Sequence, residues 1–111
     1  MNKLEITENT KGKLVYVESL PPFDNSKWLI LISSASKEGD YHFIRRYISY
    51  RIDTNEWYFT GGISMCWGTS EDCVFFESTD DQKRLVAKKL ASLGYKYVHI
   101  LNKLIKKKKY E

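Results

Sequence analysis

Followed for the alternation of apolar and polar positions, the chain divides into a strand-rich first part and a helical last part. Residues 1–11 carry no periodic pattern and are expected to form a flexible N-terminus. From Lys13 to Leu20, Leu14, Tyr16 and Leu20 alternate with Val15 and Val17, which predicts a strand. Pro21-Pro22 ends it by removing two backbone donors and fixing φ, and Asp24-Asn25-Ser26 supplies a loop. Every residue from Trp28 to Ile32 is apolar, as in a central strand covered on both faces.

Lys37-Glu38-Gly39-Asp40 has turn chemistry, and beyond it Tyr41 to Ile52 alternates. His42, Ile44, Ile48, Tyr50 and Ile52 are expected on one face, with Arg46 intruding; Tyr41, Phe43, Arg45, Tyr47, Ser49 and Arg51 are expected on the other. Asp53-Thr54-Asn55-Glu56 predicts a hairpin turn into Trp57 to Thr60, because Asp and Asn stabilise turns through local side-chain hydrogen bonds. Gly61-Gly62 breaks that strand. Ile63 to Trp67 reads as an apolar strand or loop closed by Gly68, and Cys73 to Glu77 as a last short strand.

The helix is better marked. Thr79 with Gln82 fits a capping box, and Asp80 and Asp81 complement the dipole of a first turn. Val86, Leu90, Leu93, Tyr97, Ile100 and Leu104 then recur at spacing 4-3-4-3-4. That stripe predicts a helix over 79–108, about 45 Å long, whose distal half must project, fold back or meet a second chain. A rival parse caps the helix at Gly94 and makes Tyr95 to Leu101 a strand, which Tyr97, Val98 and Ile100 suit by propensity. The continuous or Gly94-broken helix leads, since a mid-helix Gly costs ~1 kcal/mol, less than burial of the stripe recovers. The fold class that follows is α+β in a single domain of 111 residues: an antiparallel β-meander of about five strands over 13–78, with one long C-terminal amphipathic helix packed on the sheet.

Charge sharpens this division. The net charge of +4 is the sum of −5 over residues 1–82 and +9 over 83–111, and no acidic residue lies between Lys83 and Tyr110. Such asymmetry points to an acidic partner or to neutralisation within the molecule. No apolar run exceeds the five residues from Trp28 to Ile32, far short of a membrane span. With two cysteines, Cys66 and Cys73, and no run resembling a signal peptide, a cytoplasmic protein with reduced thiols and no membrane partner is expected.

Three features could carry function. Tyr41, Phe43, Arg45, Tyr47 and Arg51 interleave aromatics with guanidinium groups, a pattern suited to stacking single-stranded bases while cations meet phosphates. Lys89, Lys96 and Lys103 repeat at seven-residue spacing along the helix flank, with Lys106 beyond, as a candidate phosphate-binding face. Met65 and Trp67, bounded by glycines, would form a protein-binding hot spot if exposed. Each has a structural counterpart: aromatic strands are common in cores, the lysines can be balanced by the acidic sheet, and an apolar segment usually belongs to the interior.

Evidence for catalysis is thin. His42 and His99 stand alone, no metal-ligand spacing is present, and a Cys-His pair would need the fold to bring a histidine to Cys66 or Cys73. Ser34-Ala35-Ser36-Lys37 matches S-x-x-K without the partner motifs that give it meaning, and no phosphate-cradling glycine loop occurs. Asp80 and Asp81 are explained by helix-start electrostatics without a cation. The expectation is a non-enzymatic accessory protein, without cofactor or metal, that binds nucleic acid, single-stranded and independent of sequence. The alternative is a protein-interaction module, such as a small inhibitor or adaptor of the kind mobile elements encode. A homodimer through the C-terminal helix is the assembly its stripe would allow.

Overall fold

The computed structural model describes residues 2–20, 25–59, 64–68, 73–93, 96–99 and 103–105; of 59, 64–68, 96–99 and 103–105 it describes the backbone alone. The alternating and all-apolar runs form strands β1 (Leu14–Ser19), β2 (Lys27–Glu38), β3 (Tyr41–Arg51), β4 (Glu56–Phe59), β5 (Ser64–Gly68) and β6 (Cys73–Glu77). They make one antiparallel sheet in the order β4-β3-β2-β1-β6, with β5 also paired to β3. Helix α1 (Asp80–Ser92) packs on it, so the α+β architecture follows the expectation. The β2–β3 turn places Gly39 at φ +57°, a conformation that glycine adopts without steric cost.

Both faces of the sheet are covered at its centre, which is why Trp28 to Ile32 is apolar throughout. On the front face Leu14, Tyr16, Leu29, Leu31 and Ile48 meet Val86 and Leu90 of α1. On the back, Val15, Val17, Ile30, Ile32, Ile44 and Phe75 pack around Ile6. The expectation of a flexible N-terminus is corrected here. Leu4 donates its N–H to Phe75 O at 2.9 Å, Glu77 donates to Asn2 O at 2.9 Å, and Ile6 is fully buried. Two alternating apolar residues, Leu4 and Ile6, are too short a signal to register as a period, yet they close the back layer and shield the outer edge of β6.

The capping box forms as expected: Gln82 N–H donates to Thr79 Oγ1 at 3.2 Å and Thr79 N–H donates to Gln82 Oε1 at 2.9 Å. The far end differs. Instead of running to 108, α1 stops at Ser92, where Leu93 N–H closes the last turn onto Leu90 O at 3.0 Å. Lys96–His99 (β7) and Lys103–Ile105 (β8) pair as antiparallel strands, the assignment of the rival parse for 95–101. Strand propensity at Tyr97 and Val98 outweighs the heptad-like spacing, and Leu93, a member of that stripe, is exposed.

Candidate functional site

The long β2–β3 hairpin changes faces halfway along. Leu31 pairs with Ile48, Ile32 with Arg46, and Ser34 with Arg45, so Tyr47 and Ser33 are each an extra residue on their strand. A bulge inserts one residue without a partner and reverses the alternation beyond it. Two bulges on opposing strands restore the register but exchange inner and outer positions on both. The even-numbered residues of β3 therefore do not share a face: His42 and Ile44 point to the back layer, whereas Ile48 and Tyr50 point to the front. The single aromatic and arginine face expected for Tyr41 to Arg51 is corrected in the same way.

Beyond the bulges, Tyr41, Phe43 and Arg45 lie on the front, the side that carries α1. Tyr41 is 54% exposed and Phe43 39%, and Arg45 is exposed as well. Their cross-strand partners are Glu38, Ser36 and Ser34 in turn. Directly opposed side chains on one face are neighbours, so small hydroxyl groups flank Phe43 and Arg45 and leave the ring uncovered. Alternate residues on a strand are about 7 Å apart, so each ring can meet a separate planar group. Tyr47, on the bulge itself, is 43% exposed.

Arg51 is elsewhere. On the back face its guanidinium lies 5.7 Å from the Trp28 ring and pairs with Asp53 at 3.1 Å. The hydrogen bonds from Arg51 hold the Asp53 carboxyl below the usual carboxylate range, and Lys27 N–H adds a contact at 3.3 Å. Arg46, beside the bulge, has its pKa lowered by burial. Lys89 sits 5.4 Å above the Trp57 ring, which stacks at 4.3 Å on Tyr50, so it closes the front core at the β4 side. Lys96 and Lys103 belong to β7 and β8, and the seven-residue lysine stripe ends with the helix. Lys106 lies outside the described residues.

Met65 pairs with Ile44, and Trp67 falls between Cys66, opposite Phe43, and Gly68, opposite His42. Their backbone is thus a strand on the outer side of β3, and their side chains lie outside what is described. His42 and Cys73, both buried, line one cavity on the back face. Among the described residues no group of three or more His, Cys, Asp or Glu converges to hold a metal, and no helix is long and apolar enough to cross a membrane. No protein-family model, curated protein or solved structure matches the chain.

Sequence reasoning missed Ser34 and Ser36 as part of the front patch. Their role depends on register, and the only signal for it was the intrusion of Arg46 into an otherwise apolar alternation, one residue before the bulge.

Proposed function

We propose that the protein is a non-enzymatic nucleic-acid-binding accessory protein, taking a single strand independently of sequence on the front of the distal hairpin. The observation that supports this reading is the exposure of Tyr41 and Phe43 on one sheet face beside Arg45, with Ser36 and Ser34 opposite Phe43 and Arg45 on β2. Bases stack on exposed rings without regard to sequence, and a neighbouring guanidinium meets phosphate or a base plane. Tyr47, on the bulge, is exposed as well, whereas Arg51 and Lys89 drop out, each being engaged with an aromatic ring. Of the stripe on which a dimer would rest, Val86 and Leu90 are buried against the sheet and Leu93, just beyond α1, is exposed.

The test is fluorescence anisotropy of a labelled single-stranded oligonucleotide at 20 mM and 200 mM salt. Binding that weakens steeply with salt is expected, as phosphate contacts release counterions. Because a stacked base is worth about 1–3 kcal/mol, replacing both Tyr41 and Phe43 by alanine should raise Kd by at least about tenfold. Absence of binding at the lower salt ends this reading, and a protein partner whose capture depends on Tyr41 and Phe43 would replace it.

A further inference from the structure

In a patch that takes single-stranded nucleic acid, the reading on which this inference rests, the spacing of the platforms bears on which strands fit. Tyr41, Phe43 and Arg45 occupy alternate positions of β3 beyond the bulges, all on the front and all exposed. Alternate strand residues are about 7 Å apart, whereas stacked bases of one strand follow each other at about 3.4 Å. A base-stacked strand laid along β3 would pass two bases for each planar group, and only one of them could reach it. To seat a base on every platform, each nucleotide step must be drawn out and the contact between neighbouring bases given up.

The β2 side offers no alternative platform. Across the ladder, Ser36 stands opposite Phe43 and Glu38 opposite Tyr41, and neither side chain carries a ring. A strand crossing toward β2 would use one platform, and both rings are used together by a strand running along β3. Glu38 also grades the charge along the row. Its carboxylate disfavours a phosphate beside Tyr41, while Arg45, with the uncharged Ser34 opposite, favours one at the other end. We propose that the patch prefers strands whose bases stack weakly on one another, pyrimidine runs above all, and disfavours purine runs, whose larger rings overlap more and must be pulled apart on binding. No base edge is read, so the preference is one of composition and not of sequence.

Oligo-thymidylate and oligo-adenylate of equal length carry the same number of phosphates, so counterion release is common to both and cancels in the ratio of their Kd values. In anisotropy titrations of the full chain at low salt, oligo-thymidylate should bind about fivefold tighter, somewhat less than the roughly tenfold that one average stacking step represents. Phe43→Ala leaves Tyr41 without a second ring at strand spacing, so binding should weaken and the ratio should fall toward one. Phe43→Trp keeps a platform there and should retain the preference. Phe43 is exposed and belongs to neither core cluster, so both variants should fold. Equal affinity for the two oligomers, tighter binding of oligo-adenylate, or a ratio that Phe43→Ala leaves unchanged would each overturn the inference while the nucleic-acid reading stands. Binding of neither oligomer at low salt ends that reading, and the inference falls with it.

Discussion

The two halves of the β2–β3 hairpin are built from the same strands and the same alternation, yet one half is core and the other is surface. In the proximal half, Leu29, Leu31 and Ile48 face α1 while Ile30 and Ile32 face the N-terminal segment, so both sides are sealed. In the distal half the back still holds Ile44 and His42, but the front presents Tyr41 and Phe43 to solvent. What separates them is a pair of single-residue bulges at Ser33 and Tyr47. Without the exchange of faces, the odd-numbered aromatics would point to the back and Ile44 would be stranded on the open front. The bulges let one run of even-numbered apolar residues serve two cores in succession, and they leave the aromatic residues uncovered.

Emptying the distal back core is the most direct way to break this difference. Ile44 is fully buried on the back while its neighbour Phe43 is exposed on the front. In urea denaturation Ile44→Ala should register a loss of about 3–4 kcal/mol, in line with emptying a buried aliphatic site. A chain lacking Ser33 and Tyr47 should keep its pairs and its faces, because the extra residue and the reversal it causes disappear together, so it should still bind oligonucleotide. A loss of no more than about 0.5 kcal/mol at Ile44 would mean that the bulges do not set the faces.

Point substitutions then sharpen the same contrast. Ile48→Ala in the proximal core should cost about 3 kcal/mol, because Ile48 is fully buried between β3 and α1. Phe43→Ala in the distal half should change stability by no more than about 0.5 kcal/mol, while lowering oligonucleotide affinity. Equal costs at the two positions would show that the distal face is covered after all. Between these lies Thr79→Ala, which removes one arm of the capping box and should cost about 1 kcal/mol through fraying of the first turn of α1.

How much of this could be read from the chain depends on which signals are local. The capping box, the Gly39 turn, the all-apolar Trp28 to Ile32 and the ending of the strand at Glu77 all rest on neighbours in sequence, and each has its counterpart in the structure. Cross-strand relations are different. Neither bulge is marked by glycine, since Ser33 and Tyr47 are ordinary strand residues, so the switch of faces had no composition cue. Leu4 and Ile6 are buried by a segment too short to show a period. At the helix end, an apolar spacing of 4-3-4-3-4 competed with β propensity at Tyr97 and Val98, and spacing alone could not decide between them. For the patch, the aromatic residues were legible and their grouping was not: Arg51 sits on the opposite side of the sheet, and two serines stand beside Phe43 and Arg45.

The smallest expected effect comes from a tyrosine in the proximal core, and it tests the contrast through ionisation. Tyr16 is buried under α1 against Phe76, ring centroids 5.9 Å apart, and its hydroxyl donates to Glu18 Oε2 at 2.8 Å. Burial, then the hydrogen bond to Glu18 and its charge, push the Tyr16 pKa up to about 12 from the usual 10. Below pH 10 both folded and unfolded chains hold this proton, and Tyr16 adds no pH dependence. Between 10 and 12 the unfolded chain releases it while the folded chain keeps it, so the unfolded state binds fewer protons and stability falls as pH rises. At neutral pH, Tyr16→Phe should cost only about 0.5 kcal/mol, the net value of one hydrogen bond. In parallel urea titrations at pH 9 and pH 11, the wild-type chain should lose more stability over that interval than Tyr16→Phe does. Equal losses would mean that the Tyr16 hydroxyl is solvated in the folded chain, and with it that the proximal front face is not the sealed half of the hairpin.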